Sequence, residues 1–224
     1  MHRVIEPKIL YFGTPVVLIS TLNENGSPNL APMSSAWWLG QSCMLGMGKR
    51  SQTVRNLIRE RECVLNLPSD DLVAAVDRLA LTTGRDPVPE GKMKIGYRYE
   101  PNKFGIARLS EAPSTLVKPP RVAECQVQLE AVIENIYDIG AYETYPEPST
   151  TAAIEARIVR VHIDEDLLIP GTRSYIDAEK WRPLIMSFCE FFGLGSGILQ
   201  PSRLEPAFYG APKLGRTRTT PQAE

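Results

Sequence analysis

Read for alternation of apolar and polar positions, the chain breaks into many short runs. PVVLISTL over 15–22 is rich in β-branched residues and stops at NENG, where Asn25 and Gly26 can supply the positive φ of a tight hairpin turn. That predicts strand, turn, strand. The returning segment begins at Ser27 and carries Pro28 and Pro32, two residues without an N–H, so it is an edge strand or breaks into loop near Ala31. CMLGMG over 43–48 reads as a third strand whose Gly46 and Gly48 permit close approach by another backbone or a ligand. Ser51 then suits the N-cap of a short helix with Val54, Leu57 and Ile58 on one apolar stripe, and CVLNL over 63–67 returns as a strand.

Ser69, Asp70 and Asp71 open a second helix, predicted over 70–82. GRDPVPEGK over 84–92 reads as a loop, and a short helix near 102–107 precedes a proline-bounded crossover. Residues 122–139 form one long strand or a pair, and IEARIVRVHI over 154–163 is the clearest late strand. Asp177 can cap a helix through AEKWRPLIMSFCEFFG, with Gly193 near its end, and the basic, polar tail APKLGRTRTTPQAE reads as a solvated or disordered end. Many hairpin-linked strands with few helices predict a mainly β fold, an antiparallel β-barrel with helical additions. Strands and helices do not alternate as a doubly wound sheet requires, and no GxGxxG fingerprint is present.

Composition narrows the function classes. A chain of 224 residues is long enough for one sizeable core, and 43% hydrophobic with 23% charged residues and a net charge of −1 supplies neither the basic excess of a nucleic-acid binder nor the bias of a disordered chain. No apolar run reaches bilayer length and the opening MHRVIEPKIL has no apolar secretory core, so no membrane role and a cytoplasmic location are expected. Cys43, Cys63, Cys125 and Cys189 lie far apart without a CxxC pair, which points to buried thiols and to no metal site. His2 sits at a terminus and His162 in a strand-like run, where a structural imidazole is the commoner outcome; no nucleophile motif accompanies either.

Two segments offer ligand chemistry. Ser34 and Ser35 bring hydroxyls and backbone N–H groups in a loop-like place, while Lys49, Arg50, Ser51 and Thr53 gather two positive charges and two hydroxyls at a helix start. Such a helix start suits a phosphate, although capping without any ligand uses the same residues. Trp37 and Trp38 point to opposite faces of an extended segment, so at most one can meet a ligand.

PVVLISTLNENGSPNLAPMSSAW followed by KRSQTVRNLIRERECVLNLP resembles the flavin reductase-like family of FMN-binding split barrels, whose pattern is a hairpin, N-x-A-P-x-S, T-x-x-N-[IL] and a VNL-type strand. The resemblance continues through KFGIARLSEAPSTLVKPPRVAECQVQLEAVI and IVRVHIDEDLL, covering roughly residues 10–170. It implies a split-barrel domain over 1–170, a C-terminal helical extension and tail over 171–224 packed on it, and a homodimer binding FMN at its interface. It further implies that Asn29, Ala31, Pro32, Met33, Ser34 and Ser35 run past the isoalloxazine ring, and that Lys49, Ser51, Thr53 and Asn56 hold the ribityl phosphate. Asn29 can instead merely shape the turn, and Asn56 can cap a neighbouring loop. Met33 departs from the aromatic residue of many members, and Trp37 and Trp38 from small or polar ones.

The activity that the resemblance implies is NAD(P)H-dependent flavin reduction, with NADH or NADPH as hydride donor and FMN either kept as a bound cofactor or released to a monooxygenase component. No catalytic acid, base or metal is needed, because flavin carries the redox chemistry. The alternatives are a flavin-dependent enzyme acting on another small organic substrate, a non-catalytic flavin-binding protein, and a barrel that has lost its ligand. A cavity lined by the FGIARLS segment or by the C-terminal stretch would favour the first alternative.

Overall fold

The computed structural model describes residues 1–140, 150–195, 198 and 199. Its elements run β1 (Phe12–Pro15), β2 (Val17–Leu22), β3 (Pro28–Met33), β4 (Ala36–Leu39), β5 (Ser42–Gly48), α1 (Gln52–Glu60), β6 (Glu62–Leu67), α2 (Val73–Arg78), β7 (Thr82–Thr83), α3 (Glu90–Met93) and β8 (Arg98–Tyr99). Then follow α4 (Lys103–Ala107), β9 (Glu111–Ala112), β10 (Arg121–Val122), β11 (Val127–Ile139), β12 (Thr151–Ile163), β13 (Ile185–Ser187) and β14 (Glu190–Phe192).

Seven strands form one antiparallel sheet in the order β3-β2-β6-β11-β12-β5-β4. Its two outermost strands, β3 and β4, are consecutive in the chain and joined only by Ser34 and Ser35. The sheet therefore curls until the end of β3 meets the start of β4, and Ser34–Ser35 lies at that seam. The expected edge strand is β3, where Pro28 and Pro32 each leave unfilled a donor position that an interior strand would need. The β2–β3 hairpin turns at Gly26, φ +79°, with Asn23 and Ser27 closing it through a 2.8 Å backbone bond.

The near-continuous apolar run of β2 reflects burial on both faces. Val17 and Ile19 join a core with Leu45, Met47, Val54, Leu57, Leu65, Ala131 and Ile154, inside the barrel. Val16 and Leu18 join a second core with Leu30, Val76, Leu79, Phe104, Val122 and Leu184, beneath α2 and α4. The crossover after β9 is fastened from below by Glu130 of β11, which is fully buried. Its carboxylate accepts the backbone N–H groups of Thr115, Leu116 and Val117 and the Thr115 hydroxyl, and lies 2.6 Å from His162 Nε2. His162 is thus the structural imidazole the strand pattern suggested.

Several sequence expectations are corrected. The helix placed over 178–193 is absent: Trp181–Ser187 runs extended, and β13 pairs with β1 and turns into β14. Pro183 explains it, since its missing N–H and its steric restriction of Arg182 oppose helix. Leu184 and Arg182 bond the backbone of Pro68 and Asp70, and the hairpin closes through Phe188 and Cys189 at φ +48° and +67°. That turn leaves Cys189 exposed, while Cys43, Cys63 and Cys125 are buried as expected. The helix expected over 70–82 is a 3-10 turn, Asp70–Leu72, followed by α2, which ends at Arg78, and beyond it Leu81 takes a left-handed φ of +52° that breaks any continuation. Within the stretch read as loop, α3 forms a single turn. Ile58 is exposed, so the buried face of α1 is Thr53, Val54, Asn56 and Leu57, two apolar and two polar residues. The tail expected to be solvated lies outside the described residues.

Candidate functional site

Ser34 and Ser35 stand outside both ladders, since pairing of β3 ends at Met33 and that of β4 begins at Ala36. The Gly46 N–H donates to the Ser35 carbonyl at 2.7 Å, and a Cβ on Gly46 would stand 3.1 Å from Ser35 Cβ. Gly46 thus serves close approach of another backbone, one of the two uses its sequence position suggested. The Ser35 hydroxyl lies 2.8 Å from the Tyr11 hydroxyl, which fixes one side of the seam from the N-terminal segment. Trp38 and Met33 pack against the barrel core while Trp37 is 57% exposed, so the two tryptophans do face opposite ways.

Beside the seam, α1 lies on the β2–β3 hairpin through a buried polar network. Ser51 caps the helix by accepting from Val54 N at 3.2 Å. Asn29 Nδ2 donates to Thr53 Oγ1 at 3.2 Å and to Thr21 Oγ1 at 3.4 Å. Asn56 Nδ2 donates to Thr21 Oγ1 and Asn23 Oδ1 at 3.0 and 3.1 Å, and its carbonyl oxygen accepts from Gln52 and Arg59. Both ends of the Asn56 amide are committed internally, so it positions α1. Thr53 accepts from Asn29 and keeps its hydroxyl hydrogen for another acceptor. Lys49 ion-pairs with Asp138 at 2.6 Å, and no described contact joins it to this network. The structure therefore brings Asn29, Thr53 and Asn56 together and sets Ala31, Pro32, Met33, Ser34 and Ser35 along the neighbouring edge.

The residues that sequence reasoning missed are cations. Gly84 abuts the network so closely that a Cβ there would stand 2.6 Å from Asn29 Oδ1 and 3.2 Å from Gln52 Cγ. Next to it, the Arg85 Nη1 atom is buried and has no hydrogen-bond partner among the described residues. Burial and the neighbouring Arg55 both push the Arg85 pKa down, and burial and Arg85 do the same to Lys92. Burial pushes Lys103 down to about 8, with Glu100 opposing the shift and Lys92 and Arg98 adding to it. Lys103 Nζ, on a residue only 3% exposed, donates to the Thr82 hydroxyl.

No salt bridge neutralises Arg55, Arg85, Lys92 or Lys103 among the described residues. Like charges held together and partly dehydrated raise the energy of the empty site, and an anion placed among them lowers it. These cations converge only because the excursion from Leu81 returns through parallel pairing of β7 with β8 and delivers Lys103 at the start of α4. A sequence signal was present in the charge-rich GRDPVPEGKMK and NKF stretches, but their meeting is tertiary.

Comparison with known proteins places the fold. The model of the flavin reductase like domain matches residues 9–187, which takes in β13 and so reaches beyond the 10–170 that the sequence motifs cover. An uncharacterized protein of Bacillus subtilis, YdfE, is 38% identical over 201 residues, spanning 90% of this chain and 93% of that protein. Among solved structures, flavoredoxin of Desulfovibrio vulgaris (Miyazaki F) superposes with a TM-score of 0.71 at 19% identity, covering 89% of this chain and 97% of that one. Nitrilotriacetate monooxygenase component B from Bacillus cereus gives 0.67 at 22% identity, covering 84% and 87%. At these identities the two structures establish the shared mainly β, split-barrel architecture.

Proposed function

This chain belongs to the flavin reductase-like domain family, and from that premise we propose that it is an oxidoreductase that binds FMN and takes hydride onto it from NADH or NADPH. The observation that carries the reading is the unneutralised cation cluster beside the Asn29–Thr53 network, with the buried, unpartnered Nη1 of Arg85 at its centre. A terminal phosphate dianion concentrates charge at one point, as the cluster does, and this favours FMN. Arg85, Lys103 and the Thr53 hydroxyl would hold that phosphate by charge-assisted hydrogen bonds, with Arg55 and Lys92 adding long-range attraction. Ala31, Pro32 and Met33 would border the ring, and Ser34 would offer it a backbone N–H free of ladder bonds. Bound flavin supplies the hydride chemistry, and the protein orients the donor and excludes side reactions.

The same reading includes a homodimer. Trp37, Leu39, Tyr137 and Val161 leave large apolar side chains exposed on the barrel, 50–76% of each in contact with solvent, which is surface a second copy can cover. Residues 171–192, which return to β1 through β13, are read as part of the split-barrel unit. A reaction of this kind supplies reduced flavin, so a monooxygenase component is the fitting recipient and the cytoplasm the fitting place. Among the described residues no helix is long and apolar enough to cross a membrane.

The deciding experiment is anaerobic. Protein loaded with FMN is mixed with NADH or NADPH, and the flavin absorption band is followed. Bleaching well above the rate for free FMN is expected with at least one donor, whereas persistent colour with both overturns hydride transfer from nicotinamide. Thr53→Ala should weaken FMN binding by about 1–3 kcal/mol, as loss of one hydrogen bond to a charged group does. Unchanged affinity in a calorimetric titration would remove Thr53 from the phosphate site.

A further inference from the structure

One cavity opens on the seam and shares Pro32, Met33 and Ser34 with the proposed border of the flavin ring, while its other walls take no part in that site. It has a volume of about 210 Å³ and is lined by Val16, Pro32, Met33, Ser34, Val76, Ala80, Met186 and Phe191. One wall is the seam strand itself, a second is α2, and the third is the β13–β14 hairpin. That hairpin, where sequence patterning anticipated a helix, brings Met186 and Phe191 opposite Pro32–Ser34. Every lining side chain is apolar except the Ser34 hydroxyl, and none is charged.

We propose that this cavity binds an uncharged quinone of one or two rings beside the flavin, as the acceptor of its reducing equivalents; the proposal rests on the flavin reading above. At this volume the cavity matches one or two rings more closely than a whole flavin, since pockets that enclose drug-sized ligands run to about 300–1,000 Å³. Charge excludes carboxylated or phosphorylated acceptors, since a buried anion here would meet no cation. The thioethers of Met33 and Met186 and the ring of Phe191 form soft walls suited to a flat aromatic face. Ser34 can donate one hydrogen bond to a quinone carbonyl, which orients the ring against the flavin edge. In the overall reaction NAD(P)H and one proton convert the quinone to hydroquinone. Hydride from the nicotinamide supplies two electrons and one proton, for which bound flavin would be the carrier, the second proton comes from solvent, and both carbonyl oxygens become hydroxyls.

The probe is 2,3-dimethyl-1,4-naphthoquinone, substituted at both ring carbons so that the exposed thiol of Cys189 cannot add to it. Its binding is measured by calorimetry on flavin-free and FMN-loaded protein, separately from any turnover. Saturable binding at one site per chain is expected. Ala80 is exposed at the rim, so Ala80→Trp should fold and should lower quinone affinity at least tenfold while changing FMN affinity less than twofold. Phe191→Ala, which removes the opposite wall, should give a similar loss. Absence of quinone binding in both forms of the wild-type protein overturns the proposal, as does an equal loss of FMN affinity in Ala80→Trp, which would assign the cavity to the flavin. Protein that takes up no FMN refutes the flavin reading instead, and the flavin-free titration still decides whether the cavity takes a quinone.

Discussion

Replacing Glu130 by alanine should lower the unfolding free energy by about 3–5 kcal/mol, the range for breaking a buried, hydrogen-bonded ionic group from one side. The carboxylate gathers three backbone N–H groups, one hydroxyl and the His162 imidazole, and its removal leaves the buried donors of the crossover without partners. Burial alone would push the Glu130 pKa up. The bonds from Thr115, Leu116 and His162 overcome that and hold it at about 2, against an ordinary value of 4.5. A depressed carboxyl pKa contributes stability that is fully present above the unfolded value and is lost as pH falls through the folded one, so this contribution disappears between pH 4.5 and about 2. Urea unfolding of the wild type and Glu130→Gln across that window should show their difference narrowing as the pH drops. A difference independent of pH would mean that packing, and not the charge, sets the role of Glu130.

Local chemistry made much of the barrel legible. The NENG turn, the two prolines of an edge strand and the alternation of 154–163 each fix a conformation within a few residues, and β2, β3 and β12 follow from them. What failed had a long-range cause. The apolar spacing of Leu184, Ile185, Met186, Phe191 and Phe192 suits a helix as well as two short strands, and only the docking of β13 on β1 selects the strands. Pro183 was the available signal against helix, and it should outweigh periodicity over so short a stretch.

The candidate site divides the same way. Thr53 was visible as a helix-start residue and Asn56 through the family resemblance, yet their burial was not, because the apolar stripe suggested Ile58 on the inner face and the fold puts two polar side chains there. Asn29 reads as a turn residue until the hairpin sets it against Thr53, 24 positions away. Lys49 attracted attention as the nearest lysine in sequence, while the most deeply buried one among the described residues, Lys103, comes from α4. Cations brought together from distant segments carry no local motif, and here the clue is energetic: among the described residues no salt bridge pairs Arg55, Arg85, Lys92 or Lys103, and burial lowers the Lys103 pKa despite Glu100.

Lys103→Met tests that clue with effects of opposite sign on binding and on stability. FMN affinity should fall roughly 10–100-fold, corresponding to loss of a charge-assisted bond of about 1.5–3 kcal/mol. The flavin-free protein should be as stable or more stable, because methionine fills a similar volume without a dehydrated ammonium, and the Thr82 hydroxyl still donates to the Leu79 carbonyl. Since Lys103 has its pKa lowered from 10.5 to about 8, the unfolded chain holds more protons between those values, and wild-type stability should rise with pH across that interval. The variant should lack the rise. Binding runs the other way: as Lys103 loses its proton above about pH 8, FMN affinity of the wild type should decline, while that of Lys103→Met stays level. Lys103→Arg, which keeps the charge, should recover part of the affinity. If Lys103→Met instead destabilises the flavin-free protein and leaves FMN binding and its pH profile unchanged, Lys103 is a prop for β7 and the phosphate lies elsewhere.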